Sequence, residues 1–276
     1  MDITVIIPSR GRVTGLHLIM RSMNFLESGK HRVHYGVACD DDDVGTIVAC
    51  QEIQKEILTG YRVGPRQCSL GGLINDMAVR MPADVYVGVN DDVLCLEPDW
   101  DDKIAQAVKK KPYGVFWWTN ALPQEVLFPI VTEKWRTAAG SIFTDHYPFW
   151  YDDLCLMETW CMTTDEAPQV LGIKIADRTK TITHRMRELK FWQKFYTETR
   201  VLRVKNSLMI SEKLGLPEPK SIHKMAQKLT EHLLTVPDEK LTEIERNQGE
   251  TTPPDEAYLI AKARAQSILD EIREAA

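Results

Sequence analysis

The sequence predicts an α/β domain built on a mainly parallel sheet. Three observations carry that prediction. Short, β-rich apolar runs alternate with segments of helical periodicity between Ile3 and Lys110; their spacing suits strand-helix-strand units; and three of the runs end in clusters of polar residues, where open parallel sheets present their ligand-binding edge.

The first run, Ile3 to Ile7, closes at Pro8 and reads as a buried strand. After a break at Gly11, the stretch from Gly15 to Phe25 places Leu16, Ile19, Met20 and Met23 at helical spacing. Val33 to Cys39 is a second strand, and Val44 to Leu58 carries Ile47, Val48, Ile53 and Ile57 on a second helix. Leu70 to Met81, opened by Gly71-Gly72, is a third helix, and Asp84 to Val89 a further strand. Pro98 to Lys110 is a helix with acidic residues in its first turn and Lys109 to Lys111 at its end, the charge order that suits the helix dipole. Aromatics accumulate from Tyr113 to Tyr151, with Phe116, Trp117, Trp118, Trp135 and Phe143 among them, as expected for a second half of the same domain with long functional loops. After His184 the pattern turns helical and amphipathic. Helices are expected near 186–213, 221–235, 238–247 and 255–274, the last announced by Pro253-Pro254-Asp255-Glu256.

A chain of 276 residues can bury a substantial core without help from disulfides or structural metals. Its hydrophobic and charged fractions, 43% and 27%, are those of a soluble globular protein, and no apolar run approaches the ~20 residues needed to span a bilayer. The opening MDITVIIPSRGR lacks the basic flank and long apolar stretch of a secretory signal, so a cytoplasmic protein is the expectation. The six cysteines form no C-x-x-C pair and read as reduced, structural thiols. The net charge of −6 hides an asymmetry: residues 174–228 hold fourteen Lys or Arg against five Asp or Glu, and residues 229–276 hold five against eleven. A basic island between acidic segments implies contact with something anionic.

Three polar clusters carry the candidate chemistry. Pro8-Ser9-Arg10-Gly11-Arg12 joins a hydroxyl, two guanidinium groups and a following helix N-terminus, a combination that can hold a diphosphate or nucleotide; its plain alternative is a solvated turn. Asp40 to Asp43 are four carboxylates that repel one another. They can accept a base N–H or ribose hydroxyls, while Asp42 or Asp43 can cap the next helix. Asn90-Asp91-Asp92 offers hard oxygens that suit Mg²⁺ or Mn²⁺, ions that take one or two carboxylates plus substrate phosphates; alternatively it is an ordinary acidic turn.

In order and spacing, ITVIIPSRGR, VACDDDDVGT, LGGLINDMAV and VGVNDDV resemble the conserved segments of the GT-A (Rossmann-like) glycosyltransferases, especially the family 2 type that uses nucleotide-diphosphate sugars. The resemblance covers about residues 2 to 185. It departs from the family pattern at Ser9-Arg10-Gly11, where a tyrosine-asparagine pair is usual, and at Asn90-Asp91-Asp92, which stands for the DxD metal motif. It implies a metal-dependent hexosyl- or pentosyltransferase, inverting at the sugar, with a catalytic domain over 1–185 and a helical C-terminal region over 186–276. The implied nucleotide-binding residues are Pro8, Ser9, Arg10, Arg12, Asp40, Asp42, Arg66, Asn75 and Asp91, and the implied ligands of Mn²⁺ or Mg²⁺ are Asp92 and His184. The family's general-base position falls on Asp153 or Asp152, with Asp145 as a rival; an acceptor hydroxyl has a high pKa, so a carboxylate must take its proton during attack. Asp152 and Asp153 can equally cap the helix that follows.

The segment RMRELKFWQKFYTETRVLRVK sets Phe191, Trp192, Phe195 and Tyr196 among seven cations. It can pack back on the catalytic domain. Alternatively it can bind DNA, with bases stacking on the aromatics, or lie on an anionic membrane. The acceptor would then be a modified (hydroxymethylated) DNA base or a lipid-linked or envelope glycan. The donor would be a UDP- or GDP-linked sugar, and a nucleotide-binding protein that has lost catalysis is the remaining alternative.

Overall fold

The structure, a computed structural model, describes residues 1–57, 59–67, 69–122, 125–148, 151–177, 187–220, 239–243 and 254–275. Nine strands and nine helices have both ends among them, and 239–243 are helical as well. The strands are β1 (Asp2–Pro8), β2 (Arg32–Asp40), β3 (Gly60–Gly64), β4 (Val85–Gly88), β5 (Val93–Cys95), β6 (Val115–Leu122), β7 (Glu125–Thr132), β8 (Gln169–Val170) and β9 (Ile175–Asp177). The helices are α1 (Val13–Phe25), α2 (Val44–Ile53), α3 (Leu70–Arg80), α4 (Trp100–Lys110), α5 (Glu133–Ala139), α6 (Asp152–Thr164), α7 (Leu189–Glu198), α8 (Arg200–Leu214) and α9 (Glu256–Glu274).

Seven strands form one sheet in the order β3-β2-β1-β4-β7-β6-β8. The four strands at the β3 end are mutually parallel; β7 runs against both β4 and β6, and β8 pairs parallel with β6. β1 sits between β2 and β4, and Ile3 to Pro8 are all buried, which explains a run of apolar residues without alternation. The sheet is covered on both faces. Ile3, Val5 and Ile7 pack with Leu16, Ile19 and Met23 of α1 and with Trp100 and Ile104 of α4; Ile6, Tyr86 and Trp117 point the other way, toward Ile74, Trp135 and Trp160.

The aromatic stretch after Tyr113 is therefore mainly core. Trp117, Trp118 and Trp135 are fully buried, and the first two belong to strand β6, not to loops free to stack on a ligand. The helix expected over 186–213 breaks at buried Thr199, whose Oγ1 donates to the Phe195 carbonyl at 2.7 Å. On one side of that break, Trp192, Phe195 and Tyr196 pack against Tyr147, Tyr151, Tyr258 and Leu269. On the other, the Arg203 Nε donates to Glu158 Oε2 at 2.6 Å, joining α8 to α6 inside the protein. The expected boundary at residue 185 and the helix expected over 221–235 lie outside the described residues. The five described cysteines are buried and unpaired, and no helix among the described residues is long and apolar enough to cross a membrane.

Candidate functional site

The three polar clusters lie at the carboxyl ends of β1, β2 and β4, adjacent parallel strands. At the end of β1, Gly11 adopts a φ of +67°, which favours glycine, and its N–H donates to Asp43 Oδ2 at 2.7 Å. Asp43 also accepts from Thr46 N at 3.2 Å and so caps α2. Burial pushes the Asp43 carboxyl up, but the hydrogen bonds from Thr46 and Gly11 outweigh it and hold the group below its ordinary value. This residue ties the first two clusters together.

Arg10 spans the same gap from its side chain. Its Nη1 donates to Asp40 Oδ2 at 3.0 Å and to Asp42 Oδ1, while Nη2 donates to Asp42 Oδ2 at 2.8 Å. The bond from Arg10 lowers the pKa of Asp42, whereas burial raises that of Asp40 despite the same partner. Asp40 Oδ1 also accepts from Gln67 N at 3.4 Å, so the loop that leads to α3 is fastened to the same point.

Ser9, Arg12, Asp91 and Asp92 form the second focus. Ser9 Oγ donates to Asp91 Oδ2 at 2.7 Å, and Arg12 Nη1 donates to Asp91 Oδ1 at 3.2 Å and to Asp92 Oδ2 at 2.7 Å. Asp91 is buried, and that desolvation raises its pKa against the pull of Ser9 and Arg12. Burial lowers the Arg12 pKa, but the two carboxylates more than offset it and leave it raised. Gly15 sets this geometry. A Cβ there would collide with the Asp91 carbonyl oxygen, so the first turn of α1 lies directly on the acidic turn. Sequence reading missed Gly15; its signal was a glycine inside a helix, which costs about 1 kcal/mol relative to alanine and calls for a reason.

A third group surrounds the start of α3. Asn75 Oδ1 accepts from Ile142 N and Phe143 N, both at 3.0 Å, and its Nδ2 donates to the Phe143 carbonyl at 2.8 Å. The side chain is thus occupied in holding that loop. Asp152, at the first position of α6, accepts from Gly71 N at 3.3 Å through Oδ2, while its buried Oδ1 has no hydrogen-bond partner among the described residues. A Cβ on Gly71 would lie 2.9 Å from Asp152 Oδ2, so this carboxyl also needs the glycine beneath it. Burial raises the Asp152 pKa well above the ordinary carboxylate range, and neighbouring Asp153 adds to the shift. Asp153 is half-buried, and its Oδ1 accepts from Leu154 N at 2.8 Å. Tyr151 precedes the pair at φ +85°, an uncommon conformation for a non-glycine residue.

The remaining candidates are held from the C-terminal side. Arg66 Nη2 lies 2.6 Å from Asp255, which caps α9, and Arg264 of α9 donates to Asp145 Oδ2 at 3.0 Å. His184 lies outside the described residues.

For a divalent ion, the relevant donors are Asp91 Oδ1 and Asp92 Oδ2, which already converge on one cationic nitrogen. Hard carboxylate oxygens fit Mg²⁺ or Mn²⁺. Among the described residues no group of three or more His, Cys, Asp or Glu could hold a metal ion, so phosphate oxygens and water would have to complete the shell.

No protein-family model and no curated protein matches the chain. Solved structures do. A mannosyltransferase from Pyrobaculum calidifontis, in complex with GDP-Man and Mn²⁺, matches with a TM-score of 0.54 at 11% identity, over 99% of this chain and 82% of its own. S. aureus TarS 1-349 in complex with UDP-GlcNAc matches with a TM-score of 0.58 at 10% identity, over 99% and 81%. The chain has the GT-A fold. Within that GT-A sheet the clusters after β1, β2 and β4 share the edge where parallel α/β sheets take their ligands.

Proposed function

We propose that the protein is a metal-dependent glycosyltransferase that moves a hexosyl or pentosyl group from a UDP- or GDP-linked donor to an acceptor hydroxyl, with inversion. The observation that carries this reading is the juxtaposition of Ser9-Arg12, Asp40-Asp43 and Asp91-Asp92 at adjacent strand ends of a GT-A sheet. Known structures of this fold hold GDP-Man with Mn²⁺ and UDP-GlcNAc, which supports a nucleotide-sugar donor here.

In this reading Asp40 and Asp42, oriented by Arg10, receive the nucleoside, and Arg12 faces the diphosphate. Asp92, with Asp91 beside it, would hold Mn²⁺ or Mg²⁺, with His184 as a further candidate ligand. The ion when bound offsets charge that develops on the departing nucleotide diphosphate. Asp153 is assigned as the general base. Asp152, whose carboxyl is buried against the Gly71 N–H with its pKa raised by that burial, is the second candidate for the role. Attack by the acceptor oxygen on the anomeric carbon expels the nucleoside diphosphate, and the hydroxyl proton passes to Asp153.

For the acceptor we propose a hydroxymethylated base in DNA. Lys190, Lys194 and Lys205 are exposed on the basic segment, which supports an anionic polymer as partner. The apolar face of α7 is already buried against Tyr147, Tyr151 and Tyr258, so it is not available for insertion into a membrane surface. The same burial removes Trp192, Phe195 and Tyr196 as stacking platforms, leaving charge as the mode of contact.

The test is release of nucleotide from a panel of UDP- and GDP-sugars with Mn²⁺ or Mg²⁺, with and without hydroxymethylated duplex DNA. Turnover that rises with the modified DNA and falls steeply with salt is expected. Absence of turnover with every donor would favour a nucleotide-binding protein without catalysis; turnover stimulated only by lipid-linked acceptors would replace the DNA assignment.

A further inference from the structure

Arg12 has two claims on its charge. Both of its ion pairs leave from a single nitrogen, Nη1, which bridges Asp91 Oδ1 and Asp92 Oδ2. Among the described residues, neither Nη2 nor Nε of Arg12 has a hydrogen-bond partner. The side chain is 36% exposed against 6% for Asp91 and 19% for Asp92, so the cation lies on the solvent side of the carboxylates. The residue is also the N-cap of α1, and it supplies no side-chain hydrogen bond to that helix end. An anion at the start of α1 would meet the positive end of the helix dipole and the open side of the same guanidinium.

Two adjacent carboxylates repel, and the pair needs a counter-charge in any state of the protein. A guanidinium on the chain and a divalent ion cannot both occupy the point on which Asp91 Oδ1 and Asp92 Oδ2 converge. We propose that Arg12 is a tethered counter-cation that closes the acidic pair to divalent metal until a nucleoside diphosphate draws the guanidinium onto its phosphates, so that metal and nucleotide enter together. The proposal rests on the glycosyltransferase reading for the nucleotide half of the exchange, but not for the competition between Arg12 and metal. Arg12 thus has two partners in turn, the acidic pair and the diphosphate. Gly15 supports the device, because the close contact of α1 with the Asp91 backbone holds the origin of the Arg12 side chain at a fixed place beside the acidic turn.

The experiment is titration of the full chain with Mn²⁺, followed by the electron paramagnetic resonance signal of free ion, with and without UDP or GDP. Arg12→Ala is expected to bind Mn²⁺ alone at least about tenfold more tightly than the unmodified protein, and its nucleotide dependence is expected to shrink correspondingly, since coupling between two ligands is reciprocal. Arg12→Lys, which keeps a charge but loses the fork, should fall between them. Addition of Asp92→Asn to Arg12→Ala should abolish the gain. Arg12→Gln replaces the alanine variant if thermal melting shows that the latter is misfolded. Equal or weaker Mn²⁺ binding by the folded Arg12 variant, or a gain that survives Asp92→Asn, would overturn the proposal. Failure of UDP and GDP to bind under any condition would instead sink the glycosyltransferase reading, while leaving the Arg12 effect on Mn²⁺ alone to be read separately.

Discussion

Two arginine-carboxylate clusters sit at opposite ends of this chain's chemistry. Arg12 meets Asp91 and Asp92 at the sheet edge with 36% of its side chain exposed, whereas Arg203 meets Glu158 with 4% and 0% exposed. The first can exchange partners with a ligand. The second cannot: Tyr196 OH donates to Glu158 Oε2 at 2.7 Å, Arg203 lies 4.0 Å over the Tyr196 ring, and its Nη1 donates to Thr199 Oγ1 at 3.0 Å. Residue types are alike in the two places, and burial alone separates a ligand site from a structural clamp.

The contrast is easiest to break from the buried side. Arg203→Ala leaves Glu158 enclosed without its cation, and a loss of about 3–5 kcal/mol is expected in urea unfolding, because breaking a buried pair exposes the full desolvation cost of the remaining charge. Trp192→Ala should cost about 3 kcal/mol by opening a cavity between α7 and α9, without changing nucleotide affinity. Gly15→Ala should cost about 1–3 kcal/mol through overpacking on Asp91 and should weaken metal-dependent nucleotide binding as well, which calorimetry separates from stability.

Asp152 gives a pH-dependent prediction. Its folded pKa is raised by burial above the unfolded value, so the native protein retains a proton that the unfolded chain releases. That contribution to stability is present at low pH and is lost as pH rises from the ordinary carboxylate range through the folded value. Asp152→Asn should flatten the fall, and urea midpoints measured across that range for both proteins check the sign. Smallest of all, Asp92→Ala should change stability by less than about 1 kcal/mol, since its ion pair with Arg12 is partly solvated.

The donor half of the fold was legible because β1, β2 and β4 are continuous apolar runs that end in charged turns. β3 was missed: Gly60-Tyr61-Arg62-Val63-Gly64 has glycine at both ends and an arginine in the middle, and that arginine is buried only because Asp76 pairs with it at 2.6 Å. The β6–β7 hairpin was hidden for the opposite reason. Consecutive tryptophans read as part of long functional loops, and only a sheet covered on both faces accounts for their burial. At the site, the polar clusters stood out by composition, but their partners did not. Asp43 as the tie to Gly11, Gly15 beneath Asp91 and Gly71 beneath Asp152 depend on contacts between elements far apart in sequence. Asn75 and Arg66 stand out in the sequence only through the family resemblance, and the loop at Phe143 and the cap of α9 that engage them carry no local signal.

The most direct test is calorimetric titration with UDP and GDP, with and without Mn²⁺, of the unmodified protein, Asp92→Ala and Asp153→Ala. The account predicts Mn²⁺-dependent binding of one nucleotide by the unmodified protein and by Asp153→Ala, and its loss in Asp92→Ala. Binding that is indifferent to Mn²⁺ and survives Asp92→Ala would contradict the assignment of the β4 turn as the anchor of a nucleoside diphosphate.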